Sequence, residues 1–200
     1  MIILMMSFEI ATARELSFIP YLDNHHVEIG KMIVIDDDTL SITSFKFYIS
    51  SHQSSSSNLC MLLNLEETLT CSIPDDIETL SFGLDSIDNV QTSFEGPLDP
   101  IHGMFWTWNA GYVNCKIEGR SNRSPQVHQS FTIHLGGYRI PYATFFTFSV
   151  PNNQQRTIFA INLLPVIKLV LNKHEGNIMS VGPAAVECSR LLMQSMSEYK

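Results

Sequence analysis

The sequence predicts an all-β protein, an antiparallel β-sandwich with a C-terminal α-helix. Three observations predict it. Runs rich in Val, Ile, Thr, Phe and Tyr recur along most of the chain. Polar or Gly/Pro turn signals separate them at intervals of about ten residues, the rhythm of a sandwich. Only the last stretch places apolar residues at helical spacing. With 200 residues, 44% of them hydrophobic, the chain can bury one sizeable core. Residues 1–13 read as an N-terminal extension, either a signal remnant or non-native residues, and residues 14–200 as a single domain. The opening MIILMMSFEI lacks a basic start and is too briefly apolar for the core of a signal peptide.

Strands are expected at Leu16–Pro20, Glu28–Ile35 and Ser41–Ser50, with polar turns at Asp23–His26 and Asp36–Asp38 between them. In the third strand Ile42, Phe45, Phe47 and Ile49 carry the apolar pattern. It slips by one residue near Ser44, which predicts a bulge. Serines 54–57 read as a loop tip before Leu59–Leu63. Further strands are expected at Thr68–Ile73, Glu78–Leu84, Phe105–Glu118, Val127–Leu135, Ala143–Val150 and Arg156–Leu163. The tract NLLPVIKLVL (162–171) is open between helix and strand, although Pro165 argues against a central strand. From about Gly182 to Glu198, Ala185, Cys188, Leu192, Met196 and Tyr199 form one stripe. Ser180 is the expected N-cap, and Pro183 lies in the first turn.

A net charge of −8 with only 12 basic residues argues against nucleic acid and against anionic membrane surfaces. No stretch is long and apolar enough for membrane insertion as a helix. The four cysteines form no CxxC pair. Cys60 and Cys71 bracket a segment that reads as a hairpin, so a disulfide between them and a pair of free thiols are both open. GxSxG, HExxH and phosphate-loop motifs are absent, and no enzymatic activity is expected. Asp36–Asp38, Asp75, Asp76, Asp85 and Asp88 read as turn residues. His25 and His26 fall in a turn, and His52 and His174 in loops with no inferable partner. His128 and His134 share an expected strand but stand about 20 Å apart, too far to chelate one ion.

Residues 97–119, PLDPIHGMFWTWNAGYVNCKIEG, are the most informative stretch. They contain both tryptophans of the chain, Trp106 and Trp108, which on an extended segment share a face about 7 Å apart. His102 precedes them. His134 follows, flanked by Ile133 and Leu135 and leading into Gly136 and Gly137, where a kink allows close backbone approach. Packed core and a metal site are both readings of this group.

The tracts SITSFKFYIS, LSFGLDSIDNV, PLDPIHGMFWTWNAGYVNCKIEG, FTIHLGGYRIPY and GNIMSVGPAAVECSRLL, in that order and spacing, resemble the MbnP-like family. These are exported bacterial copper-binding proteins related to MopE and CorA, and the likeness is strongest to the Bacteroidetes-type branch. It runs from about Leu16 to Leu192. The resemblance implies a periplasmic or secreted β-sandwich that binds copper through histidine. It also implies a nearby Trp that serves as a kynurenine precursor, oxidised by a partner di-haem enzyme of the cytochrome c peroxidase type. His134 matches the histidine of the family's HLG tract, and Trp106 and Trp108 match its WxW tract. His102 is the nearest second donor in sequence. The alternative from another class is a secreted sandwich that binds a protein or glycan through exposed aromatics, with no metal.

Overall fold

The computed structural model describes residues 13–52, 59–90, 94–107 and 110–199. Among these, the strands are β1 (Ala13–Leu22), β2 (His25–His26), β3 (Ile33–Ile35), β4 (Asp38–Ser51), β5 (Leu59–Asn64), β6 (Thr70–Pro74), β7 (Thr79–Phe82), β8 (Phe105–Thr107), β9 (Gly111–Ser121), β10 (Ser130–Gly136), β11 (Phe146–Ser149), β12 (Arg156–Asn162), β13 (Asn177–Ile178) and β14 (Met196–Glu198). The helices are α1 (Ser86–Asn89), α2 (Leu164–Lys173) and α3 (Pro183–Ser195).

Two sheets face each other. One runs β14-β12-β1-β2, with β6 paired to the first half of β1. The other runs β11-β7-β4-β9-β10-β13, with β3 and β5 on β4 and β8 on β9. The all-β sandwich with its C-terminal helix is as the sequence predicts. Two pairs within it, β1 with β12 and β10 with β13, are parallel.

The alternation of β4 explains why the larger sheet has two buried faces. Phe45, Phe47 and Ile49 point inward to the main core, whereas Tyr48 belongs to a second cluster with Leu84, Leu98, Met104, Tyr112 and Val113 on the outer face. Between the sheets Phe18 meets Phe47 edge-on at 5.2 Å, and Phe47 stacks on Phe82 at 4.6 Å. The bulge predicted at Ser44 is present, because the β4–β9 register shifts between Ile42 and Ser44. α2 and α3 bury Val166, Ile167, Val170, Ala185, Cys188 and Leu192 against this core.

Several expectations are corrected. The continuous strand expected over 105–118 is a hairpin of β8 and β9, and Gly111 takes the left-handed φ of +74° that its turn requires. The ambiguous tract 162–171 is mostly α2, whose first turn accommodates Pro165. The α3 N-cap is Gly182, not Ser180, and the helix stops at Ser195 because the chain continues as β14. Cys60 and Cys71 do not face each other in a hairpin. Their strands join different sheets, β5 on β4 and β6 on β1, and both thiols are free.

Candidate metal centre

The outer face of the larger sheet is where the chemistry-bearing side chains gather. On β9, Cys115 and Ile117 point inward, so Asn114, Lys116 and Glu118 point outward. On β10, Ile133 and Leu135 point inward, so His134 points outward. Residues 83–90 and 94–107 are folded over this face. Gly83 N–H donates to Tyr48 O at 2.7 Å, Tyr48 Oη donates to Pro97 O at 3.0 Å, and Tyr112 Oη donates to Leu98 O at 2.9 Å.

At one end of the face, His52 follows β4 directly, opposite the start of α1. Asp85 is the N-cap of α1. Its Oδ1 accepts from Ile87 N–H at 2.7 Å and Asp88 N–H at 3.1 Å, as an aspartate cap should. Its Oδ2 lies 3.3 Å from His52 Nε2, and Asp88 Oδ2 lies at the same distance from that nitrogen. Among the described residues, these three make the only group of three or more His, Cys, Asp or Glu whose ligand atoms all fall within 4.8 Å of one another. Asp88 is 1% exposed, and burial raises its pKa against the lowering influence of His52 and Ser50.

The α1 turn is fixed from below. Asn114, wholly buried, accepts Leu84 N–H at 2.9 Å and donates to Thr144 Oγ1 at 2.9 Å and Gly137 O at 3.3 Å. Asn89 Oδ1 accepts Tyr112 N–H at 2.9 Å. The pairing Ser50 with Cys60 brings that thiol to the same region, where burial and the neighbouring Asp88 push its pKa up to about 12. It stays a neutral thiol at ordinary pH.

His134 is 7% exposed, and its Nε2 is 2.8 Å from Glu118 Oε1. Lys116 Nζ lies 3.3 Å from the same oxygen. The hydrogen bond to His134 and the Lys116 charge hold Glu118 below the usual carboxylate range despite partial burial. An ionised carboxylate only accepts, so His134 Nε2 carries the proton and, in the neutral ring, Nδ1 carries the lone pair. Such a carboxylate-braced imidazole fits a transition metal as one nitrogen donor.

Trp106 sits against Gly136, two residues beyond this histidine on β10. A Cβ added at Gly136 would lie 2.5 Å from Trp106 Cζ3, so the indole occupies the space that a side chain at 136 would take. His134 and Gly136 are two residues apart on β10 and therefore share a face, about 7 Å apart. His102 lies on the preceding loop, where its Nε2 pairs with Gly96 O at 2.9 Å. The next residue of that loop, Gly103, comes up to Lys116. His134 and His102 thus bond different partners, and neither belongs to a group of three donors among the described residues. Trp108 lies outside the described residues.

From the sequence alone Asp85 and Asp88 read as turn residues, and His52 has no inferable partner. The available signal was the Asp-x-x-Asp spacing at a helix start, which turns both carboxylates to one side. What was missing was the register that lays the end of β4 beside it.

The MbnP family model matches residues 11–179 of the chain. Among solved structures, MbnP from Methylosinus trichosporium is similar, with a TM-score of 0.51 and 12% sequence identity over 78% of this chain and 77% of that one. At that identity the likeness concerns the fold alone. No curated protein matches the chain.

Proposed function

The chain belongs to the MbnP family, and from that premise we propose that it is an extracytoplasmic copper-binding and copper-handling protein with no catalytic turnover of its own. The observation that carries the reading is the seating of Trp106 on Gly136, on the face and strand that hold the carboxylate-braced His134. His134 is the anchor ligand. Glu118 holds its ring and fixes the proton on Nε2, leaving Nδ1 to the ion. Imidazole suits both oxidation states of copper, whose chemistry when bound is redox exchange. His102, carried on the loop that reaches Lys116, is the second histidine of this reading.

The indole of Trp106 walls the site and keeps it partly dry. It is also a target for oxidation to kynurenine, as is Trp108, by a di-haem peroxidase-type partner. Two measurements test this on protein purified from its exporting host. Copper analysis after dialysis should find one equivalent in wild type and none in His134→Ala. Intact mass should show one tryptophan converted, with net gain of two oxygen atoms and loss of carbon monoxide. Wild type without copper, or full copper retention in His134→Ala, overturns the reading.

A further inference from the structure

We propose that His52, Asp85 and Asp88 form a second metal site, one that takes a divalent transition cation of the Zn²⁺ class. It stands apart from the copper reading. The β4–β9–β10 register separates His52 from His134 by two strand spacings and several residues, on the order of 20 Å.

Two independent observations support it. The first is geometric. In tetrahedral coordination with bonds of about 2.0–2.1 Å, neighbouring donors stand about 3.3 Å apart. Both carboxylate oxygens lie 3.3 Å from His52 Nε2, and all three atoms are mutually within 4.8 Å. The second is electrostatic. Asp88 is 1% exposed, and its carboxylate and that of Asp85 both face the His52 imidazole. Two carboxylates against one imidazole leave a buried excess of negative charge that a divalent cation would neutralise.

The donor set chooses the ion. One imidazole with two carboxylates suits a borderline divalent ion better than Ca²⁺ or Mg²⁺, which favour all-oxygen shells. It also suits Cu(I) poorly, because His52, Asp85 and Asp88 offer no thiolate or thioether. The two carboxylates neutralise a double positive charge. His52 and Asp85 side chains are each 23% exposed, so the ion has an entry path and solvent can complete its shell. The supporting shell is already in place. Asp85 Oδ1 is committed to the α1 amides, which leaves Oδ2 toward His52, and Asn114 and Asn89 pin the turn to β9.

The test is calorimetric titration of the chelator-stripped full chain with Zn²⁺, alongside thermal unfolding. Wild type should bind one equivalent and gain in Tm. His52→Gln and Asp88→Asn should each weaken binding at least tenfold and lose the Tm gain, whereas His134→Ala should retain both. Stripped Asp88→Asn should unfold at or above the Tm of stripped wild type, because it removes a buried charge; this separates a lost ligand from a lost fold. No Zn²⁺ binding to wild type, unchanged affinity in both variants, or loss of this binding in His134→Ala would overturn the proposal. So would tighter binding of Ca²⁺ than Zn²⁺.

Discussion

Replacing Gly136 by Ala tests whether Trp106 is seated on β10 beside His134. Gly136 is buried and its φ is not positive, so the added methyl group brings no backbone strain, only crowding. The new Cβ would lie 2.5 Å from Trp106 Cζ3 and 3.0 Å from Tyr112 O. The indole can tilt away, since Trp106 is half-buried, but the carbonyl belongs to β9 and can move little. Overpacking of this kind costs about 1–3 kcal/mol. A cost near 2 kcal/mol lowers a urea midpoint by roughly 1 M at a typical slope. The assay is equilibrium urea unfolding followed by tryptophan emission, which in this chain reports only on Trp106 and Trp108. Trp106→Leu in the same background should return part of the loss, giving a coupling energy of about 1 kcal/mol in the double-mutant cycle, with the remainder left by Tyr112 O. An unchanged midpoint and emission in Gly136→Ala would refute the seating, and with it the main support for the copper reading.

Asn114→Ala should cost about 1–3 kcal/mol in urea unfolding, because it leaves the buried Leu84 N–H without its acceptor. It should also weaken Zn²⁺ binding through the loosened α1 turn; a neutral effect on stability would contradict the bracing role. Arg14 is 2% exposed and donates to the Pro151 and Ile77 carbonyls, so Arg14→Ala should lose about 3 kcal/mol or more. Loss below 1 kcal/mol would mean that solvent replaces the guanidinium. Burial raises the Cys60, Cys71 and Cys188 thiols from 9.0 to about 12. The unfolded chain therefore releases these protons first as pH rises. Their contribution is whole below pH 9 and declines towards pH 12, and the unfolding midpoint should fall across that window. A midpoint that stays flat there, or rapid alkylation of the folded protein at about pH 8.5, would count against thiols held up in this way.

The fold was legible where burial imposes a period. β4 shows this best, since Ile42, Phe45, Phe47 and Ile49 marked the core face and the slip at Ser44 marked the bulge. The α3 stripe was legible for the same reason. What escaped was set by partners distant in sequence. Nothing local tells β5 to pair with β4 and β6 with β1, so Cys60 and Cys71 looked like neighbours. The division of 105–118 likewise involves a distant partner, since Asn89 Oδ1 lies 2.0 Å from where a Cβ on Gly111 would stand. At the candidate centre, the HLG and WxW tracts were visible as motifs. Their meeting through Gly136 was not, and neither was the approach of His52 to Asp85 and Asp88. Both depend on sheet register, which a single chain of letters does not state.

The position of β1 has a bearing on synthesis. It is flanked by β6 and β2 on one side and, along nearly its whole length, by β12 on the other. The ribosome completes β1 long before residues 156–162, the neighbour for its second edge, emerge. A product terminated before that point carries Leu16 and Phe18 on an open row of amides and carbonyls, a template for a second molecule. Premature stops that fall between β1 and β12 should therefore yield insoluble material in place of a trimmed working protein.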